Sequence, residues 1–257
     1  LRGIDLGSNN FRINKPVKVA LLIGDGVNSY EAGEVWHLLD TRIEMPLTKL
    51  RLNQFSGISL EKYTTLIMVS GSYNQLGKDE IKKIKKWIEK GNTLITIARG
   101  SSWAINNKLI NESLVESKKD STYSRKNYVE AREFIGRERI GGVILRADID
   151  LTHPVAFGYN DTSIPVYKNN NVFINKTNND YSTVATYSKD FHIDGYISEL
   201  NKKDFIPGAA SLIISKIGTG RVVVFADNPN FRGTWYGTNK LFLNAIFLGN
   251  NISVPSN

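Results

Sequence analysis

The sequence contains no cysteine, three histidines and no long run of apolar residues. The lack of cysteine excludes disulfides, thiolate zinc sites and every cysteine-based nucleophile. A transmembrane helix needs about 18 or more consecutive apolar residues, so the sequence predicts none. His37, His153 and His192 have no partner at the spacing of a zinc motif. We therefore expect neither a metal site nor a cofactor.

The net charge of +8 reflects 33 basic and 25 acidic residues. The lysines are concentrated in residues 78–90, opposite an apolar stripe on the same predicted helix. Basic and aromatic residues do not alternate as they do in grooves that stack nucleic-acid bases. The charge thus predicts a solvated lysine-rich surface, and nucleic acid is not an expected partner.

Strand-like and helix-like segments alternate through the first hundred residues. Residues 17–23, 63–69 and 93–98 are nearly continuous apolar runs, typical of strands that are covered on both faces. A helix with Ser29 as its N-cap follows the first run, and the lysine-rich helix precedes the last. This order predicts a doubly wound, mostly parallel α/β sheet.

The chain divides into a central domain and two tails. Residues 1–16 predict a linker or tail, residues 17–249 a single α/β domain and residues 250–257 a second tail. Between about 152 and 200, short β-like runs alternate with asparagine-rich turns and predict a small β-rich insertion. Because the chain starts at Leu1 and lacks a signal-peptide pattern, we expect a processed product or a fragment of a longer protein.

The turn after residues 93–98 has the position of a nucleophile elbow, which holds a reactive side chain where a strand gives way to a helix. The residue at its apex is Ala98, followed by Arg99 and Gly100. Alanine has no atom that can attack a substrate. The sequence therefore predicts the frame of an enzyme class without its nucleophile.

Residues 91–100 resemble class I glutamine amidotransferase-like domains, in which a Gly-x-Cys-x-Gly elbow follows a helix and a strand. In this chain Ala98 stands at the cysteine position and Thr96 at the first glycine. The resemblance implies a flavodoxin-like sheet and a Cys-His-Glu triad. The nearest match to the family's His-Pro-Glu is His153-Pro154-Val155, which has valine in place of the carboxylate. We therefore expect no glutaminase activity.

Residues 24–36, 151–159 and 228–235 resemble the domain at the C-terminal end of some bacterial zinc carboxypeptidase-like proteins. This resemblance implies a non-catalytic accessory domain of a larger exported hydrolase, periplasmic or secreted, that acts in packing, dimerisation or substrate presentation. The expected partners are an upstream peptidase domain of the same polypeptide, a second copy of the chain, and a peptide or glycan.

Loops at the carboxyl ends of the predicted strands contain candidate ligand-binding residues. They are Asp25, Ser72, Asn228, Asn230, Arg232, Trp235 and Tyr236. Amide, guanidinium and aromatic groups bind carboxylates, sugars and peptides, which gives the alternative hypothesis of an independent carbohydrate- or peptide-binding module. In the competing interpretation, Arg232 pairs with a structural acid such as Asp25 or Asp227, and the aromatic residues cover the sheet edge.

A third hypothesis is a serine-dependent hydrolase that uses Ser101 or Ser102, with His153 or His192 as its base. The segment around these serines lacks the Gly-x-Ser-x-Gly form. Serine at the start of a helix is more commonly a cap. A helix cap and a turn histidine bonded to backbone remain the simpler interpretations.

Overall fold

The computed structural model describes residue 14 and residues 16–116, 127–136 and 139–255. The strands are β1 (Val19–Ile23), β2 (Leu47–Arg51), β3 (Thr65–Met68), β4 (Thr93–Ile97), β5 (Ile140–Ile149), β6 (Ser163–Lys168), β7 (Thr183–Ile197), β8 (Ala210–Ile217) and β9 (Gly220–Phe225). The helices are α1 (Ser29–His37), α2 (Lys78–Glu89), α3 (Arg99–Asn106), α4 (Ala131–Gly136) and α5 (Tyr236–Leu248). The described strands form one sheet in the order β2-β1-β3-β4-β9-β8-β7-β5-β6.

The first half of the sheet is parallel. Strands β2, β1, β3, β4 and β9 pair in that order and in the same direction. With β9 counted as the fifth strand, this is the order 2-1-3-4-5 of flavodoxin-like sheets. The fold class predicted from the sequence, a doubly wound flavodoxin-like α/β sheet, is confirmed.

The second half of the sheet is antiparallel. Strands β8, β7, β5 and β6 extend it beyond β9, with register shifts where β7 meets its neighbours. The predicted β-rich insertion supplies β6 and β7, and both strands continue the main sheet. The predicted N-terminal tail lies almost entirely outside the described residues. In the predicted C-terminal tail, Ile252 and Val254 are buried in the core.

Helices cover both faces of the parallel strands and divide the core in two. On one face, Leu21 and Ile95 belong to a cluster with α1 and α5. On the other, Leu22 and Leu94 belong to a cluster with α2 and α3. Alternate side chains of a strand point to opposite faces, so a strand between two helical layers needs apolar residues at every position. The continuous apolar runs in the sequence have this origin.

Helix α1 starts beside the end of β1 and carries two glutamates toward the carboxyl edge of the sheet. Asn28 caps it, because its Oδ1 accepts hydrogen bonds from the N–H groups of Tyr30 and Glu31 at 3.0 and 3.2 Å. The prediction of Ser29 as the N-cap is wrong by one residue. Asparagine and serine are equally good caps, so their order in the sequence does not decide between them.

In the part of the chain that the structure describes, no helix has both the length and the apolar character needed to span a bilayer.

Candidate ligand-binding cleft

Ala98 forms a sharp turn between β4 and α3. Its backbone has φ 49° and ψ −113°, a region that residues with a Cβ rarely adopt. Its N–H donates to the Phe225 carbonyl of β9 at 2.8 Å, and its own carbonyl accepts from Ser101 and Ser102 at 2.9 and 3.3 Å. This is the backbone geometry of a nucleophile elbow. The side chain at its apex is a buried methyl group.

Gly100 allows α3 to start directly against the end of β3. A Cβ at this position would lie 2.4 Å from the Met68 carbonyl oxygen and 2.7 Å from that of Val69. Backbone atoms cannot move aside as a flexible side chain can. The glycine two residues after the apex is therefore required by packing.

The serines after the elbow are not paired with a base. Ser101 is fully buried, and its hydroxyl donates to the Phe225 carbonyl at 2.8 Å and lies 3.0 Å from Thr96 Oγ1. Ser102 is half-buried in the first turn of α3. Among the described residues, no hydrogen bond joins either serine to His153 or His192.

His153 precedes a short 3-10 turn, Pro154–Ala156. Its Nδ1 accepts from the Val155 N–H at 3.1 Å, so Nε2 carries the proton of the neutral ring. That Nε2 is buried, with no partner among the described residues. Burial lowers the pKa of His153, and the charge of Asp150 opposes the shift. The residue is a turn histidine bonded to backbone, the simpler of the two interpretations of the sequence.

A chain of hydrogen bonds connects the elbow to α1. The Arg99 N–H donates to Ser70 Oγ at 3.2 Å, and the Ser70 N–H donates to Glu31 Oε2 at 2.8 Å. In elbow enzymes, the N–H of the residue after the nucleophile is one of the oxyanion-hole donors. In this chain that N–H is engaged by the protein's own hydroxyl.

Glu31 is a largely buried acid at the elbow. It is 8 % exposed, and its Oε2 accepts the hydrogen bond from the Ser70 N–H. Burial raises the pKa of Glu31, and the nearby Glu34 carboxylate adds to the rise. The hydrogen bonds from Ser70 and the charge of Arg99 oppose it. A desolvated carboxyl in this setting favours its neutral form.

Glu31 lines a cleft of about 630 Å³ at the carboxyl ends of β1, β3 and β4. Ser70, Ser72, Arg99 and Asn170 also line it. Ligands of flavodoxin-like folds bind at this edge, where the strand order reverses between β1 and β3. Ser72 is the predicted ligand-binding residue that lies here.

Asn170 lines the cleft, and its side-chain amide is held in one orientation. Its Oδ1 accepts from Lys168 Nζ at 3.2 Å and from the Val172 N–H at 2.9 Å, which fixes the orientation of the amide. Its Nδ2 is buried and has no partner among the described residues. Arg99 also lines the cleft and is exposed. Its guanidinium is in none of the salt bridges between described residues.

The remaining predicted ligand-binding residues lie outside this cleft. Asp25 lines a neighbouring groove together with Trp36 and Lys49. Tyr236 is 60 % exposed, and the Arg42 guanidinium lies 4.0 Å from its ring centre.

The loop after β9 is largely engaged in packing. Asn228 and Asn230 are buried, and Asn228 donates from Nδ2 to Glu34 Oε2 at 2.6 Å. The Arg232 N–H donates to the other oxygen of Glu34, also at 2.6 Å. The acid beside Arg232 is therefore Glu34, and not Asp25 or Asp227. Trp235 donates from Nε1 to the Pro165 carbonyl at 3.3 Å and so covers the edge strand β6.

Sequence reasoning missed a buried charged network behind the cleft. Lys168 is fully buried, and its Nζ lies 3.2 Å from Asp227 Oδ1. The same carboxylate accepts from Tyr187 at 2.7 Å and from Ser211 at 2.5 Å. Burial lowers the pKa of Lys168, and Asp227 opposes the shift. A signal was present, because Lys168 continues the alternation of Ile164 and Val166 toward the buried face.

Within the described ranges, no group of three or more carboxylate or histidine side chains is placed to hold a metal ion.

The sheet order and the elbow define the class of fold, that of class I glutamine amidotransferase-like and ThuA-like domains. A putative GMP synthase subunit from Thermoplasma acidophilum has a similar structure, with TM-score 0.56, 14 % identity and coverage of 90 % of this chain and 94 % of that one. PurLQS from Thermotoga maritima matches with TM-score 0.60, 14 % identity and coverage of 89 % and 96 %. A putative ThuA-like protein from Parabacteroides merdae matches with TM-score 0.58, 12 % identity and coverage of 95 % and 93 %.

At these identities the similarity establishes the fold alone. No family model matches the chain, and no curated protein does.

Proposed function

We propose that this chain is a catalytically silent amidotransferase-like domain that binds a polar ligand and presents it within a larger exported zinc carboxypeptidase-like hydrolase. The observation that carries the proposal is the elbow, whose strained backbone is intact while its apex is the buried methyl group of Ala98. An acyl-transfer enzyme of this type needs a nucleophile, a base and free oxyanion donors. The nucleophile is absent, and the Arg99 N–H already has an internal partner.

The carboxypeptidase context and the periplasmic or secreted location rest on the three resembling segments. The structure supports treating two of them as a unit, because Glu34 of residues 24–36 holds Asn228 and Arg232 of residues 228–235. Their contact adjoins the cleft through α1. A presentation role would use this edge of the sheet toward the upstream domain.

The two alternatives receive less support from the geometry. Ser101 donates its hydroxyl within the core and has no histidine beside it, which disfavours a serine hydrolase. Asn228 and Asn230 are buried, and the Asn228 side chain is bonded to Glu34 and to the Asn230 N–H, which disfavours a glycan site on the loop after β9. We therefore propose that the ligand binds in the cleft.

Turnover by the purified chain tests the silent elbow. We expect no ammonia release from glutamine, no hydrolysis of p-nitrophenyl acetate above the buffer rate and no labelling by a fluorophosphonate. The variants Ser101→Ala and Ser102→Ala are the controls, and they should give the same blank traces. Turnover or labelling that either substitution abolishes would overturn the proposal.

The coding sequence upstream of Leu1 tests the proposed context. We expect the same reading frame to encode an export signal and a domain with a His-x-x-Glu motif and a distant histidine, the ligand set of a zinc peptidase. Co-expression of the two parts should then give a complex on size-exclusion chromatography. A frame that contains no peptidase would contradict the accessory role.

A further inference from the structure

We propose that the cleft bounded by Glu31, Arg99 and Asn170 binds a carboxylate group. The inference rests on the proposed function and deepens it, because it names the chemical class of the ligand that this domain holds.

The guanidinium of Arg99 carries the positive charge that would pair with a carboxylate ligand. It lines the cleft and is exposed. It is in none of the salt bridges between described residues, although its charge acts on Glu31. Arginine presents its N–H groups in a planar fork that matches both oxygens of a carboxylate. An exposed arginine that lines a cleft and forms no salt bridge with a described acid is thus available to such a group.

Asn170 lines the same cleft, and its buried Nδ2 is a neutral donor without a partner among the described residues. Its oxygen is held by Lys168 and Val172, so its Nδ2 cannot be exchanged for an acceptor by rotation of the amide. A buried donor without a partner costs about 1–3 kcal/mol. An acceptor oxygen from a ligand would remove that cost.

Glu31, the acid that lines the cleft, does not prevent an anionic ligand from binding. Glu31 is nine-tenths buried. In its neutral form a carboxyl group donates a hydrogen bond to a ligand oxygen. Glu34 on α1, Arg99 at the start of α3 and Tyr73 after β3 are the ionisable groups around it. Burial and the Glu34 carboxylate raise the pKa of Glu31 and so favour that neutral form, while the charge of Arg99 opposes it.

Titration of the ¹⁵N-labelled chain followed by NMR tests the inference. The probes are sodium acetate, the dipeptide N-acetyl-glycyl-glycine and its C-terminal amide, N-acetyl-glycyl-glycinamide, with ionic strength held constant by sodium chloride. We expect the two carboxylates to shift the Asn170 side-chain amide and the Arg99 Nε signals in a saturable way. The dipeptide amide should leave both signals in place.

The two carboxylate probes distinguish the source of the group. Tighter binding of the dipeptide than of acetate identifies the C-terminus of a peptide, and equal binding identifies a small free carboxylate. Both results support the proposal.

Substitutions locate the site. Arg99→Met should weaken binding about tenfold or more, the effect of losing a charge-assisted hydrogen bond. Lys82→Met on α2 removes the same charge away from the cleft and should leave affinity unchanged. Asn170→Asp keeps the oxygen that Lys168 and Val172 need but removes the donor, and it should abolish binding. Glu31→Gln should bind at least as tightly as the parent chain at pH 7.

Several results would overturn the inference. They are shifts of equal size with the dipeptide amide, shifts with methylammonium instead of acetate, and an Arg99→Met variant that binds like Lys82→Met. The ¹H–¹⁵N spectrum of each variant shows whether it is folded. Binding is measured without turnover, so the two proposals can fail separately. If the chain binds no carboxylate and hydrolyses no substrate, the carboxylate site is wrong and the silent elbow stands.

Discussion

Ala98 keeps a backbone conformation that its own side chain disfavours. Such a backbone conformation costs about 1–3 kcal/mol for a residue with a Cβ, and glycine does not have this cost. The strain persists because the Ala98 N–H is tied to β9 and its carbonyl to the first turn of α3. The elbow is thus held by its surroundings and does not depend on a functional side chain at the apex.

Replacement of Ala98 by glycine measures this strain. Loss of the buried methyl group, about 0.8 kcal/mol, and the extra chain entropy, about 0.5–1 kcal/mol, are opposed by relief of the strain. We expect Ala98→Gly to lower the free energy of unfolding in urea by less than about 1 kcal/mol, or to raise it. Ala104→Gly, equally buried within α3, has no strain to relieve and should cost roughly 1.5–2 kcal/mol. Equal costs for the two variants would argue against strain at the elbow.

The buried carboxyl of Glu31 makes stability depend on pH. Its pKa in the folded chain is raised above the ordinary value of 4.5 by burial, so the folded state binds this proton more tightly than the unfolded state. The associated stability is present below pH 4.5 and is lost as the pH rises through the folded-state pKa. Glu31→Gln should therefore gain stability relative to the parent chain as the pH rises from about 4 to 8. Urea denaturation across that range measures the difference.

Glu61→Gln is the control for that prediction. The pKa of exposed Glu61 is lowered by its hydrogen bond and ion pair with Lys90. The stabilisation from Glu61 therefore has the opposite pH dependence to that from Glu31. It is present at high pH and is lost as the pH falls. Solvent screens an exposed pair strongly, so its effect should be small. A difference for Glu31→Gln that is flat with pH, or that follows the sign of Glu61→Gln, would contradict the assignment.

At the scale of elements, the parallel half of the sheet was predictable from local sequence. Strands β1, β3 and β4 and helix α2 carry strong local signals, either continuous apolar runs or an apolar stripe. The antiparallel half depends on pairing between distant segments, and its bulges in β7 interrupt the period of two. The short runs in residues 152–200 indicated strands but not that they would extend the main sheet.

The candidate site was predictable only in part, for a related reason. The elbow at Ala98 is a local pattern, and so it was visible. Glu31 has the position of an ordinary acid in the first turn of a helix, and the helix dipole explains it without burial. Its burial and its bond to Ser70 arise from a loop 39 residues away, which local sequence does not show.

The junction of α3 with β3 gives a prediction at this scale. Gly100→Ala places a Cβ within 2.4 Å of the Met68 carbonyl oxygen, so helix and strand must separate. We expect a loss of about 2 kcal/mol or more in the free energy of unfolding, as in other overpacked cores. Gly33→Ala in α1 meets no atom within 4 Å and should gain about 0.5–1 kcal/mol. Similar results for both variants, measured by urea denaturation, would show that α3 does not need this close approach.

At the scale of the whole molecule, the network around Asp227 joins the antiparallel half of the sheet to the parallel half. Lys168 comes from β6, Tyr187 from β7 and Ser211 from β8, and all three meet the carboxylate that follows β9. The cleft shares this network, because Asn170 bonds to Lys168. Edge strand β6 is thereby fixed to the centre of the sheet through buried charge.

Removal of the buried cation should destabilise the whole sheet. Lys168→Met leaves Asp227 as an unpaired buried charge, and breaking such a pair by removing one partner costs about 3–5 kcal/mol. Arg146→Met is the matched control, because Arg146 on β5 pairs at 3.4 Å with Asp190, whose side chain is 89 % exposed. An exposed pair contributes about 0–1 kcal/mol, so this variant should unfold near the parent midpoint in urea. If Lys168→Met costs no more than Arg146→Met, the two halves of the sheet are held together by apolar packing alone, and the buried charges contribute no net stability to their junction.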